Sequence, residues 1–221
     1  MSFNVAIDGP AGAGKSTIAK LVAKEMGYIY VDTGAMYRAI ALYLLRREVS
    51  ADDESAIASL INDISVEIKY QEGAQQVWLN GENVTTKIRQ EAVGNMASAT
   101  SVYSCVRSKL LSLQQDLAAK TDVIMDGRDI GTCVLPNAQV KIYLTASVKT
   151  RAQRRYNELQ EKHVSCDIND IMKDIEERDY RDMHREISPL KQAEDAILVD
   201  SSNMTIEEVV NCIVSHCKER M

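Results

Sequence analysis

The sequence predicts an α/β fold: a five-stranded parallel sheet with helices on both faces, an inserted small antiparallel β/α region, and a helical lid. Three observations predict it. Five short apolar runs, at 3–7, 28–31, 123–126, 140–144 and 196–200, have the length of strands. Most are separated by stretches with helical spacing, which is the pattern of strand–helix–strand units around a buried parallel sheet. One interruption changes period. Val66–Tyr70 and Gln76–Leu79 alternate apolar with polar, and Glu72-Gly73 and Asn80-Gly81 supply the turns of an antiparallel piece.

The first strand runs into Gly9-Pro10-Ala11-Gly12-Ala13-Gly14-Lys15-Ser16, followed by Thr17. This fits the phosphate-binding pattern G-x-x-x-x-G-K-[ST] without a mismatch. Ile18, Leu21, Val22 and Met26 then recur at helical spacing and Gly27 stops the helix. Glycines let the backbone curl so that successive N–H groups face phosphate oxygens, and the helix N-terminus adds about half a positive charge. Lys15 would reach the β- and γ-phosphates, and the Ser16 hydroxyl would hold Mg²⁺.

The second strand ends at Asp32-Thr33-Gly34, which can start a helix over 35–47, with Met36, Ile40, Leu44 and Leu45 on one side. Tyr37 and Arg38 stand at its first turn. An arginine there opposes the macrodipole, so Arg38 is either simply solvated or a clamp for a second anion. Asp52 or Asp53 can cap a short helix carrying Ile57, Leu60, Ile61 and Ile64. Helices are predicted over 86–98 and 103–120, the second with Val102, Val106, Leu110, Leu113 and Leu117 as its buried stripe and Arg107 near its edge. The strand at 123–126 ends in Asp126-Gly127-Arg128-Asp129-Ile130-Gly131-Thr132. An Asp closing an apolar strand downstream of the glycine loop is a magnesium-water ligand at the Walker B position or a turn residue satisfying local backbone. In open parallel sheets ligands sit at the carboxyl ends of strands, where the glycine loop, Asp32, Asp126 and Arg128 all fall.

Ser147 can cap a helix on which Arg151, Arg154 and Arg155 share one face. After a polar stretch at 159–167 a second helix carries Arg178, Asp182 and Arg185 at i, i+4 and i+7, ending near Pro189. As a surface ion pair Arg178–Asp182 would contribute roughly 0.3–0.5 kcal/mol. Two arginine faces joined by a hairpin suit a mobile lid, whose cations would neutralise phosphate charge and whose closure would exclude water. A last helix from Thr205 buries Val209, Ile213 and Cys217 as structural packing.

With 221 residues, 45% of them hydrophobic and 26% charged, the chain is ordinary globular material. Its net charge of −6 argues against nucleic-acid binding but not against anionic small molecules. The five scattered cysteines read as reduced thiols of a cytoplasmic protein, no signal peptide fits the first residues, and no apolar run reaches membrane-spanning length. His163, His184 and His216 are isolated and lack metal-pair spacing.

Taken jointly, these motifs resemble the bacterial cytidylate kinases, within the P-loop nucleoside-monophosphate kinases. The resemblance rests on Gly9 to Thr17, Asp32-Thr-Gly-Ala-Met-Tyr-Arg38, Gly127-Arg-Asp-Ile-Gly-Thr132, Arg154-Arg155, Arg178-Asp-Tyr-Arg-Asp182 through Arg185, and Ser188-Pro-Leu190. It implies ATP-dependent phosphorylation of CMP and dCMP with Mg²⁺, by a monomer. It implies a core at 1–35 and 102–221, a lid at about 150–170 within it, and a monophosphate-binding region at 36–101. Matching positions take the family's roles. Arg38 and Arg128 look like ligands of the CMP phosphate, Asp32, Thr33, Gly34 and Tyr37 like neighbours in that site, and Ser98, Arg107 and Asp129 like cytosine readers. Arg178 and Asp182 resemble the sugar contacts, Arg185 a contact at the same site, and Arg151, Arg154 and Arg155 the lid arginines. His163 departs from the pattern, since a glycine is expected at the lid hairpin. The rival readings are another small-molecule P-loop kinase, of UMP/AMP or shikimate type, and a GTPase switch; the sequence lacks the N-K-x-D and D-x-x-G segments of the latter.

Overall fold

The computed structural model describes residues 2–221. Two compact units emerge, one running to Tyr30 and resuming over Thr121–Met221, the other Val31–Lys120. The first is built on a parallel sheet. Strand β1 (Asn4–Asp8) leads through helix α1 (Lys15–Met26) to β2 (Ile29–Asp32). Gly27 adopts a left-handed φ of 71° and closes α1 by returning its N–H to Ala23 O. After the second unit the chain resumes with β6 (Val123–Gly127), a wide π-type turn at Ile130–Val134, β7 (Val140–Thr145), helices α6 (Val148–Glu161) and α7 (Ile168–His184), β8 (Ile197–Asp200) and α8 (Ile206–Lys218).

The strands lie in the order β2-β6-β1-β7-β8. Asn4 pairs with Val123, Asp8 with Gly127, and Asp8 also with Tyr143. Inward residues Val5, Ile7, Ile124, Val140, Ile142, Leu144 and Val199 meet Ile18, Ala19 and Val22 of α1 and Val209, Ile213 and Cys217 of α8 in one core. Burial pushes the Cys217 thiol up to about 11, so it stays protonated and apolar. The start of α8 is fixed by a capping box in which Thr205 and Glu208 satisfy each other's backbone N–H. Helices α6 and α7 pack together through Ala152, Ile171 and Ile175, a small core of their own.

The second unit holds α2 (Thr33–Arg46), α3 (Glu54–Leu60), an antiparallel sheet of β3 (Val66–Gln71), β4 (Ala74–Leu79) and β5 (Glu82–Asn83), then α4 (Glu91–Thr100) and α5 (Ser104–Lys120). Asp32 caps α2 and Asp53 caps α3. Asn80 and Gly81 take φ of 48° and 81°, the paired left-handed conformation of a tight hairpin. Two expectations are corrected here. The helix expected at 86–98 is a 3-10 turn at Lys87–Arg89 followed by α4, because Gln90 turns to an extended ψ of 146°. The buried stripe of α5 runs through Val106, Leu110, Gln114 and Ala118, not through Val102, Leu113 and Leu117, which are only half-buried. The i, i+4 row that packs thus includes a glutamine that hydropathy assigns to the outside.

Candidate active site

The glycine loop wraps a tightly enclosed turn. A Cβ on Gly9 would lie 1.9 Å from the Leu144 carbonyl oxygen, so only glycine fits. Gly14, at φ 89°, caps α1 without any side-chain hydrogen bond and leaves the first amides of the helix for an anion. Lys15 is 6% exposed and its Nζ donates to Pro10 O at 2.7 Å, folded into the loop. Burial, reinforced by the nearby Arg128 charge, pushes its pKa well below the usual lysine range. The carboxylates of Asp126, Asp182 and Asp8 offset part of this, and a phosphate chain in the loop would add further counter-charge.

Ser16 Oγ donates to Asp126 Oδ2 at 2.9 Å, and Tyr30 OH donates to Asp126 Oδ1 at 3.1 Å. A hydroxyl beside a carboxylate is a hard-oxygen donor set that suits Mg²⁺. Among the described residues no group of three or more His, Cys, Asp or Glu side chains is placed to hold a metal.

A second charged cluster surrounds the segment after β6. Asp8, the last residue of β1, is buried. Its Oδ1 accepts from Ile130 N at 2.8 Å and its Oδ2 from Gly131 N at 2.7 Å. Burial pushes its carboxyl up to about 6 despite these two donors. Arg128 Nε donates to Asp182 Oδ2 at 2.8 Å and Nη1 to Gly127 O at 3.2 Å. Burial alone would raise the Asp182 carboxyl, but Arg128, Arg178 and Arg185 outweigh it and hold it below its ordinary value. Arg185 lies 3.6 Å from Asp129 Oδ1 and donates from Nε to Ser188 O at 2.7 Å, in the turn before Pro189. Asp182 is thus not a surface residue: it is buried, it accepts from Arg128 just after β6, and Arg178 is one of several cations that keep it ionised.

The three arginines share one face of α6 but do different things. Arg151 is 4% exposed and joins three places, donating to Ala146 O (2.9 Å), to Ala11 O of the glycine loop (2.9 Å) and to Asp179 Oδ2 of α7 (2.6 Å). Arg154 donates to Ser201 Oγ and O, and a Cβ on Gly14 would lie 3.9 Å from its Nη1. Arg155 is exposed and pairs with Glu158 one turn on. At the hairpin His163 takes a left-handed φ of 56°, with His163 N bonded to Gln160 O and Val164 N to Leu159 O, a Schellman closure of α6. The turn a glycine would make is made by histidine.

In the second unit Asp32 Oδ1 accepts from Ala35 N at 2.9 Å, while Arg89 lies 3.3 Å from Oδ2. Gln75 clasps the Asp32 backbone from both sides. Thr33 is buried at the head of α2, and a Cβ on Gly34 would press on Asp32 Oδ1 at 3.3 Å. Arg38 Nη1 donates to Ile88 O at 3.1 Å, and its guanidinium lies so close to α4 that a Cβ on Gly94 would sit 2.8 Å from it. Arg107 donates to Ser101 O and its guanidinium carbon lies 5.8 Å over the Tyr37 ring. Ser98, half-buried on α4, accepts on its carbonyl from Ser101 Oγ. Asp8, Tyr30, Gln75, Arg89, Gly94, Asp179 and Ser201 were not singled out by sequence reasoning. Only Asp8 left a signal, a charge on an otherwise apolar strand next to Gly9.

Residues 5–219 match the family model for cytidylate kinase. The chain is 53% identical over 208 residues to the cytidylate kinase of Lactobacillus johnsonii, covering 94% of this chain and 90% of that protein. It is 52% identical over 212 residues to that of Caldicellulosiruptor saccharolyticus, covering 96% and 94%. A solved structure of an uncharacterized protein from Eubacterium ventriosum superposes with a TM-score of 0.56 at 12% identity, covering 99% of this chain and 100% of that one, and shares the fold.

Proposed function

The chain belongs to the cytidylate kinase family, and on that premise we propose that it phosphorylates CMP and dCMP to the diphosphates, with ATP as donor and Mg²⁺ as cofactor. The observation that carries the reading is the buried cluster of Arg128, Asp129, Asp182 and Arg185 in the unit that bears the glycine loop. There Arg128 lies near enough to Lys15 to depress its pKa. A generic nucleotide anchor needs only the loop; a phosphotransferase needs a second anion site beside it.

The loop from Gly9 to Thr17 binds the ATP phosphates through the backbone N–H groups of its residues other than Pro10, and Lys15 leaves Pro10 O to follow the phosphoryl group in transfer. Ser16 and Asp126 would hold the shell of the Mg²⁺, whose chemistry there would be neutralisation of phosphate charge. Arg128 takes the acceptor phosphate, and Arg38 supplies a further phosphate-binding guanidinium near Asp32, Thr33, Gly34 and Tyr37. Arg154 and Arg155 stabilise charge on the transferring group, and Arg151 holds the lid helices to the loop. Asp129, Ser98 and Arg107 read cytosine: the carboxylate and hydroxyl accept from the amino group, and the guanidinium donates to N3. Uracil reverses donor and acceptor and leaves Asp129 facing a carbonyl, a mispairing that discriminates by up to about 10⁴–10⁵. Arg178, Asp182 and Arg185 hold the sugar end. No general base is required, because the acceptor phosphate has a second pKa near 6 and is mostly ionised at neutral pH. Residues 1–35 and 102–221 then act as core, about 150–170 as lid, and 36–101 as the monophosphate-binding region. Among the described residues no helix is long and apolar enough to cross a membrane. The family resemblance is what suggests a cytoplasmic monomer.

A coupled ADP-release assay with CMP, dCMP, UMP, AMP and shikimate, with and without Mg²⁺, tests the reading. Mg²⁺-dependent turnover favouring CMP and dCMP is expected. Preference for AMP, or slow hydrolysis regardless of acceptor, overturns it.

A further inference from the structure

We propose that Asp8 is a positioning residue whose carboxylate, by accepting the successive amides of Ile130 and Gly131, sets the orientation in which Arg128 and Asp129 meet the acceptor nucleotide. The inference rests on the reading above that those two residues bind the monophosphate. Three independent features carry it.

The first is geometry. Both carboxylate oxygens are occupied, Oδ1 by Ile130 N at 2.8 Å and Oδ2 by Gly131 N at 2.7 Å, across 122 and 123 residues of sequence. Asp8 and Gly127 are also register partners in the sheet, so the chain leaves β6, carries Arg128 and Asp129, and is caught again within three residues. The second is the state of the backbone it holds. The turn that follows is π-type, with Leu135 N bonded back to Ile130 O at 2.7 Å, and the side chain of Asp129, at its N-terminus, does not cap its amides. First-turn amides are left without intrahelical acceptors, and Asp8 supplies two. An asparagine could not, because its single carbonyl oxygen accepts while its amino group would face the second N–H. The third is the cost. A carboxylate this buried is strongly desolvated, which its pKa of about 6 records, and the neighbouring Asp129 charge adds to that. Space has been kept for it as well: a Cβ on Gly131 would lie 3.3 Å from Asp8 Oδ2 and 3.2 Å from Lys141 Cδ. Since Gly9 follows Asp8 directly, one residue ties the end of the donor loop to the acceptor-binding segment.

The test uses Asp8→Asn and, should that variant fold poorly, Gly131→Ala, which leaves the carboxylate in place but crowds Oδ2. Amide hydrogen exchange in the unliganded protein is expected to accelerate at residues 130 and 131 by about tenfold or more. Steady-state assays are expected to show a rise of about tenfold in KM for CMP and a smaller CMP-over-UMP preference, with KM for ATP within about twofold. A lower Tm with both KM values and the base preference unchanged would make Asp8 a structural staple and overturn the proposal, as would a rise confined to KM for ATP. Unchanged exchange at 130 and 131 overturns the latch alone, whereas a wild-type protein inactive on CMP overturns the functional reading on which it rests.

Discussion

Arg128 Nε and Asp182 Oδ2 lie 2.8 Å apart, with the arginine side chain 21% and the aspartate side chain 9% exposed. Two residues proposed for the acceptor nucleotide are thus engaged with each other in the unliganded protein. Removing one leaves a buried charge, which costs about 3–5 kcal/mol, whereas replacing both by apolar side chains of similar size is close to neutral. Asp182→Ala is therefore expected to lower the Tm strongly, and the Arg128→Met/Asp182→Leu pair to recover only part of it, because Arg178 and Arg185 also lose the carboxylate they face, and not to recover CMP turnover. Thermal melts and KM for CMP check this; a double variant with wild-type KM would reduce the pair to a structural ion pair.

The raised Asp8 carboxyl gives the stability a definite sign with pH. Its folded value, about 6, exceeds the usual 3.8, so the folded state holds the proton more tightly than the unfolded chain. The corresponding stabilisation is present below about pH 4 and is lost as pH rises through 6, by about 3 kcal/mol. Asp182 has the opposite sign but acts lower: held below 3.8, it loses its contribution only as pH falls beneath that value. Denaturant titrations from pH 4 to 7 should show a decline for the wild type that is flatter in Asp8→Asn. Parallel curves would contradict the assignment.

His163→Gly should stabilise the protein. Histidine at a left-handed φ of 56° bears a steric cost that glycine avoids. Glycine returns part of that gain through its freer unfolded chain, leaving about 0.5–1 kcal/mol and a Tm higher by about 1–4 °C. A Tm that falls would mean that the imidazole makes a contact worth more than the strain.

Gly94→Ala separates folding from binding. Alanine is better than glycine inside α4 by up to about 1 kcal/mol. Its Cβ, however, would sit 2.8 Å from the Arg38 guanidinium and displace that side chain from its seat against Ile88 O. An unchanged or higher Tm is expected together with a severalfold higher KM for CMP. Equal loss of both would show that the glycine serves packing only.

Much of this was legible in the residues themselves. The strand before Gly9, the helix after it, the Asn80-Gly81 hairpin and the Thr205 cap are local events, set by propensity, periodicity and turn chemistry within a few positions. Where local signals compete, tertiary packing decides between them. Gln90 broke the helix expected at 86–98, and α5 turned Gln114 inward because a row of i, i+4 residues packs whole. The charged residues were harder still. Arg151, Arg154 and Arg155 share one face of α6, yet one is a buried hub, one rests on Ser201 and one pairs with Glu158 at the surface. Helical spacing gives direction around an axis and says nothing of what lies opposite.

Glycine spacing and apolar periodicity are properties of short windows, so the residues alone announce a phosphate chain gripped after a first strand and a parallel sheet that carries it. Which charges answer one another emerges with the folded chain: Asp8 with the amides of Ile130 and Gly131, Asp182 with Arg128, Arg151 with Asp179. Those partners stand 122, 123, 54 and 28 residues apart. A buried charge is tolerated only where such a partner is brought to it, and parallel strands and their crossovers bring distant residues side by side.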